Sequence, residues 1–359
     1  MSYKILTLGE KEEWTRLLEK LPIDQQDIYY TPEYYELYEE NGDGQAMCFV
    51  FEKDDDIALY PFLKNSVNDL GYELDDAYFD IQGAYGYNGV VSSNYNLSFR
   101  KEFYKTFYKY CEKKNIIAEF VRYNPIINNH LFAEDINDLF VNRKTVFLNL
   151  KQDYDEIFNT QYSSTNRNII RKGQKTLSIS NGNQLKDYNK FISMYRYTMH
   201  RIGANKYLHF NNQFFMNIPQ KLSEHCFVFI ANDNQSNIPL GALLLLIYKN
   251  KAHYFLSARS HLCDNNSVNN SLLDSAIRFS IKKECAILHL GGGNTLDDND
   301  SLFKFKKNFS KENYFFYISK KIIQPTIYNS VCDVWEKKNP RKIKQFKNYL
   351  LKYHERNIH

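Results

Sequence analysis

One order of elements is written twice along these 359 residues: helices, an antiparallel hairpin, a helix, then a strand. In the first pass Glu10–Leu21 places Trp14, Leu17, Leu18 and Leu21 at helical spacing, and Ile28–Glu40 carries Thr31 and Pro32, an N-cap and first-turn pair. Ala46–Lys53 and Asp56–Lys64 read as a hairpin turned at Lys53–Asp56, Leu97–Asn115 as a helix and Ile116–Arg122 as a strand. Between them Asp75–Val91 is rich in glycine and aromatic residues and reads as an ordered loop. A strand at Thr145–Leu150 and a helix at Asp155–Thr176, basic in its second half, lead into the second pass. There Lys186–Ile202 and Asn211–Leu222 are helical, Phe227–Asn232 and Leu240–Lys249 form a hairpin, and Ala252–Arg259 is a third strand. Asn269–Lys283 follows as a helix, Asn313–Ile323 as a last strand and Thr326–His359 as a basic helical tail. Repeated order of this kind predicts an α/β fold with mixed sheets, built as two related domains that meet near 145–160.

The second pass ends in the most informative stretch, Ala286–Phe309. Ala286–Leu290 is a short apolar run bounded by turn signals, as a buried strand should be. Gly291–Gly293 allows a sharp turn, and Asp300 or Ser301 can cap the helix that follows. With Leu302 set at zero and about 100° per residue, Phe305, Lys306 and Phe309 fall at about −60°, +40° and −20°, on one apolar arc. Lys306 therefore points where a core residue belongs. Two readings fit: a stem that packs while its ammonium reaches water, or a cation held in a cleft for an anion or a developing oxyanion.

Other chemistries find little support. His261, Cys263 and Asp264, or His225 and Cys226, are metal-liganding types without tetrahedral partner spacing. The three glycines lack the GK[ST] of a phosphate loop and the GxGxxG of a dinucleotide fold. Six scattered cysteines with no close pair suit reduced, structural thiols. Pro239–Tyr248, the longest apolar run, is too short to span a bilayer, and MSYKILTLGE lacks a signal-peptide pattern, so a cytoplasmic location is expected. The net charge is +4, but the first hundred residues carry −13 and the rest +17. A basic body suits an anionic partner. Arg167, Arg171 and Lys175 lie at i, i+4 and i+8, one basic helix face beside Lys172, and Arg201 with Tyr207 could hold a phosphate.

Four stretches carry a family resemblance over about 30–325: YYTPEYYELYEENG with its hairpin and DIQGAYGYNG; STNRNIIRKGQK; TMHRIGANKYLHF; and AHYFLSARS with NNSLLDSAIRFSIKKECAILHLGGG and DSLFKFKKNFS. Together they resemble the FemAB-type branch of the GNAT acyltransferases, tandem domains that transfer aminoacyl or acyl groups to amines of cell-envelope precursors. The resemblance implies a first domain of 1–148 plus 322–359, with the basic tail, and a second domain of 149–321 that holds the transfer site. It places Lys306, Phe305 and Tyr254 at that site. It makes Arg201 and Tyr207, with the basic face of Arg167 and Arg171, contacts for an acceptor phosphate. No bound cofactor is implied; aminoacyl-tRNA or acyl-CoA is a co-substrate. The acceptor end of a tRNA would meet the basic second half, and the acceptor could be met at the inner face of the membrane through peripheral contact.

One departure stands out. Bridge-forming members carry a tryptophan followed four residues later by a lysine that helps hold a nucleotide diphosphate. Here Tyr34 is followed by Tyr38 and Tyr35 by Glu39. An amino sugar of a surface polysaccharide then competes with a peptidoglycan stem peptide as acceptor. Two further readings stand beside aminoacyl transfer: an acyl-CoA-dependent N-acetyltransferase of an amino sugar, and a binding protein on an inactive scaffold. No general base is assignable, since Asp297, Asp298 and Asp300 are explained by capping and loop solvation.

Overall fold

The computed structural model describes Ser2–His354, so residues 355–359 of the basic tail, Arg356 among them, lie outside the described residues. The chain divides into two compact units, Met1–Val141 with Asn205–Tyr207 and Tyr317–His359, and Asn142–Ala204 with Leu208–Phe316.

In chain order the first unit begins with β1 (Ser2–Thr7), α1 (Lys11–Lys20), α2 (Pro32–Glu40), β2 (Gln45–Lys53), β3 (Asp56–Ser66), β4 (Phe79–Gln82) and β5 (Val91–Ser92). It continues through α3 (Leu97–Lys113), β6 (Ile116–Arg122) and the single turn α4 (His130–Ala133). From β7 (Phe140–Asn149) the chain runs into the second unit, with α5 (Tyr154–Thr160), α6 (Ser164–Thr176), β8 (Leu177–Gly182), α7 (Leu185–Arg201) and α8 (Asn212–Lys221). There follow β9 (Cys226–Asp233), β10 (Pro239–Tyr248), β11 (Lys251–Arg259), α9 (Val268–Lys282), β12 (Ile287–Gly292) and α10 (Ser301–Lys307). Then β13 (Asn313–Ile322), α11 (Pro325–Lys338) and α12 (Ile343–Phe346) return to the first unit.

The first unit's strands lie in the order β1-β2-β3-β4-β6-β13, with β5 on β3, and only β4 and β6 run parallel. α3 repeats an apolar stripe, Phe99, Phe103, Phe107 and Cys111, so it must bury that face. It does so against Phe49 and Phe51 of β2, with the Phe49 and Phe107 rings 5.1 Å apart. The second unit repeats the scheme as β7-β12-β11-β10-β9-β8, parallel only between β12 and β11. α9 buries Leu272, Leu273, Ala276 and Ile277 in one core with Leu243, Leu245, Ala252 and Leu288 of the strands. α7 and α8 join through Phe191, Tyr195 and Phe215, whose rings lie 5.1–5.6 Å apart. The α/β organisation in two related units is the one the repeated element order predicts.

Three differences from that reading have local causes. Asp155–Thr176 is two helices, because Ser163 caps α6 by accepting the Asn166 N–H at 3.1 Å and Tyr162 turns inward to Asp274. β4 hides in the glycine-rich stretch, and β1 and β8 are six-residue strands at the sheet edges. The tail is not helical throughout its described residues, nor basic on every side. Its helices end at Phe346, and Tyr328, Val331, Cys332, Trp335, Leu350, Leu351 and Tyr353 are buried with Val67, Tyr72, Tyr78 and Ile117. His354 donates or accepts at Asp80 of β4 across 2.5 Å, both groups buried. The lysines occupy the other side, and their charge masked the apolar positions in the sequence.

Candidate active site

The second unit has a fork in its sheet. β11 and β12 pair in parallel only at Lys251–His253 with Ile287–His289. Past an irregularity at Leu290, β12 pairs on with β7 (Gly291 opposite Val146, Gly292 opposite Thr145), while β11 keeps to β10 as far as Arg259. From Tyr254 onward the two strands therefore part, and no further β11–β12 ladder is present among the described residues. A parted parallel pair offers backbone donors and acceptors to an extended ligand.

Lys306 stands in that fork. α10 is capped by Asp300, whose Oδ1 accepts from the N–H groups of Leu302 and Phe303 at 3.0 Å, while Oδ2 accepts from Asn294 at 3.0 Å. Though its partial burial opposes it, these backbone donors hold the Asp300 carboxyl below its ordinary value. The cap fixes the first turn, and one turn later Lys306 is 7% exposed. Its ammonium donates to the Gly292 carbonyl at 2.7 Å and lies 5.7 Å from the centre of the Tyr254 ring. An ammonium has three donors, so this bond aims the group and leaves others for a ligand. Burial, with the Arg143 guanidinium beside it, pushes the Lys306 amine down to about 7, against a smaller opposing pull from Asp300. Arg143 is itself tied to the Gly293 carbonyl at 2.9 Å. His289, deeper in the unit, is held well below its usual range by burial, with His253 and Lys306 adding to it, so it is neutral.

The glycines make room for this lysine. Gly291 has φ +76°, and a Cβ there would lie 3.0 Å from the Lys306 Nζ. A Cβ on Gly292 would meet the Lys144 carbonyl at 2.7 Å. Gly291→Ala is therefore expected to destabilise the protein by about 1–2 kcal/mol through its left-handed backbone. It should also displace the ammonium; urea unfolding and the transfer assay described below read the two effects.

The structure brings three of the sequence candidates together. Lys306 and Tyr254 face each other across the fork, and Phe305 packs into the same core with its ring 5.6 Å from Phe309. The basic-face residues are elsewhere in the unit. Arg167 donates to the carbonyls of Tyr162 at 2.6 Å and Asn159 at 3.2 Å, at the end of α5, and Arg171 lies 5.5 Å from the Phe158 ring. Arg201 is exposed at the end of α7 in the second unit, whereas Tyr207 is half-buried in the first, at Asp43 and Tyr85. Sequence reading missed Arg143 and Gly291's contact with Lys306, because β7 and β12 become neighbours only through the sheet order. Among the described residues no group of three His, Cys, Asp or Glu side chains could hold a metal ion, and no helix is long and apolar enough to cross a membrane.

Two further features bear on what the fork can bind. The start of α9 is closed by the protein itself: Asn265 accepts the Ser267 N–H at 2.9 Å, and α6 crosses so tightly that a Cβ on Gly173 would lie 2.0 Å from the Ser271 Oγ and 3.2 Å from the Ser267 Cβ. In the first unit the equivalent parallel pair, β4 and β6, is filled by its own chain. Arg122 Nη2 donates to the carbonyls of Gly83 at 2.9 Å and Ala84 at 2.8 Å, and Asn88 bridges to Tyr123.

No family model and no curated protein matches this sequence. Solved structures match its fold. FemX aligns at a TM-score of 0.67 and 14% identity, over 92% of this chain and 99% of FemX. L-PGS from Bacillus licheniformis aligns at 0.54 and 10% identity, over 86% of this chain and 91% of that one. The C-terminal domain of a proposed lysylphosphatidylglycerol synthetase from Agrobacterium fabrum aligns at 0.51 and 11% identity, over 88% and 92%. The fold is thus that of FemX.

Proposed function

We propose that this protein is an N-acyltransferase that moves an aminoacyl group from an ester donor, of the aminoacyl-tRNA kind, to an amine of a cell-envelope precursor. The observation that carries it is the buried ammonium of Lys306 in the open fork. An acyl ester laid along β11 would present its carbonyl there. The acceptor amine attacks the carbonyl carbon, the oxygen becomes anionic, and Lys306 donates a hydrogen bond to it. On collapse the ester C–O bond breaks, and the departing alkoxide takes up the proton that the attacking amine loses, leaving as the alcohol. A preorganised donor of this type contributes on the order of 3 kcal/mol, and holding amine and ester together supplies much of the rest. An anion forming beside the ammonium also favours its charged form, against the burial that weakens it.

The closed start of α9 supports an ester of tRNA over acyl-CoA. A CoA pyrophosphate would seek free N–H groups at a helix start, and Asn265, Gly173 and Ser271 occupy that place. The exposed Arg171, Lys172 and Lys175 lie on α6, the helix that crosses the start of α9, and supply charge for a polyanion. Likeness in fold to FemX, and to proteins named for making lysylphosphatidylglycerol, supports an aminoacylated envelope product.

The test is incubation with labelled aminoacyl-tRNA mixtures or acyl-CoAs, together with extracted envelope precursors, and mass spectrometry of the product. Product from aminoacyl-tRNA alone is expected. Product from acyl-CoA alone would overturn the donor assignment, and no product from any donor by folded protein would overturn the transfer reaction. As the ammonium is the working form, kcat/KM should fall as pH rises above about 7, where Lys306 loses its proton. A rate that instead climbs through that range would make the neutral amine the working form.

A further inference from the structure

The first unit holds a buried carboxyl group that forms no ion pair among the described residues. Asp43, just after α2, is 6% exposed. Its partners are neutral: Asn41 Nδ2 donates at 3.0 Å and the Tyr207 hydroxyl at 3.4 Å. The cation acting on it is Arg122, whose Nη2 donates to the carbonyls of Gly83 and Ala84 and whose Nε has no hydrogen-bond partner among the described residues; it forms no ion pair with Asp43. Burial pushes the Asp43 carboxyl up to about 6. A buried carboxylate without an ion-pair partner is costly, and such a group is a reason to look for a ligand that supplies the missing charge.

What surrounds Asp43 says which ligand. Tyr38 is fully buried with its ring 5.0 Å from that of Tyr34, and Tyr85 and Tyr207 are half-buried with rings 6.1 Å apart. The Tyr34 hydroxyl donates to the Tyr85 carbonyl at 2.6 Å, which fixes the loop that carries Tyr85. Ring faces attract cations and pack against the C–H faces of sugars, and phenol hydroxyls both donate and accept. The Asp43 carboxyl, when ionised, disfavours a phosphate at the same place. The Tyr207 contact, at 3.4 Å, is long for an O–H···O bond and is readily replaced.

We propose that Asp43 and the tyrosines around it bind an amino sugar, with the protonated amine at the carboxylate and the sugar ring against Tyr85 and Tyr207. This site goes beyond the transfer reading: an amine held protonated at Asp43 has no lone pair with which to attack an ester, so the sugar is bound there as a ligand and not as the reacting acceptor.

Calorimetric titration of the full chain with glucosamine, N-acetylglucosamine and uridine diphosphate tests it. Glucosamine should bind at least tenfold more tightly than either of the others, and Asp43→Asn should remove that preference with an unchanged circular dichroism spectrum. Equal binding of N-acetylglucosamine, preferred binding of uridine diphosphate, or glucosamine binding that is absent or indifferent to Asp43→Asn would each overturn it. If Asp43→Asn does not fold, Tyr85→Leu carries the test: glucosamine affinity should fall at least fivefold, and unchanged affinity counts against the proposal. Lys306→Met separates the two readings. It should keep glucosamine binding and lose transfer; glucosamine binding in a wild-type protein that transfers nothing would leave the sugar site standing and remove the enzyme.

Discussion

Lys306→Met should lower kcat by about two to three orders of magnitude and, in the same protein, raise stability. The two effects share one cause. An ammonium held in a dry fork is ready for an oxyanion and badly solvated until one forms. Its folded pKa, pushed down to about 7, lies below the ordinary lysine value of 10.5. Between those values the unfolded chain binds more protons than the folded one, so wild-type stability rises with pH across that window. Below about 7 both states are protonated and the whole penalty is present, about 3–5 kcal/mol at ~1.4 kcal/mol per unit. Methionine carries no charge and fits a similar volume. The variant should therefore exceed wild type by that amount at pH 6, and the difference should vanish near pH 10.5. Denaturant unfolding at the two pH values measures it. A variant that loses activity and stability together would make Lys306 an ordinary packing residue.

His354→Ala should be among the most damaging single changes, about 3–5 kcal/mol. It leaves Asp80 as a buried carboxylate in β4 with its 2.5 Å partner gone, and it loosens the segment that places Leu350, Leu351 and Tyr353 over Trp335 and Tyr328. Replacing both partners, Asp80→Leu with His354→Leu, should cost much less, because no orphaned charge remains. Chemical unfolding of the three variants provides the comparison. Equal losses in the single and double variants would place the energy in packing rather than in the pair.

Much of this was legible beforehand. Apolar spacing located α1, α3, α7 and α9, and Thr31 with Pro32 located the start of α2, where Thr31 caps Tyr34 as read. Lys306 on an apolar arc was visible from spacing alone, as was the Asp300 cap. What the sequence could not show was set by strand order. Arg143 reaches Gly293 only because β7 lies against β12, some 150 residues apart in the chain. Asp43 looked like one more acid in an acidic stretch until Tyr207 arrived from a distant segment. The tail misled for a related reason: seven lysines and arginines between Lys337 and Lys352 outweighed the Trp335, Leu350 and Tyr353 positions that decide where it packs.

The late return of the chain to its first unit sets an order of assembly during synthesis. β13, the α11 helix and His354 complete the sheet edge at β6 and cover the Asp80 carboxyl. Until residues 317–354 have left the ribosome, the segment made first lacks its last strand and exposes Ile117 and Ala118, while the later-made second unit already holds all its strands from β7 to β12. The N-terminal half must therefore wait, unfinished, for the C-terminal half, which reverses the usual order in which domains mature as they emerge. Strand β6 is an open edge during that interval and the place where a nascent chain would need protection from its neighbours on a polysome.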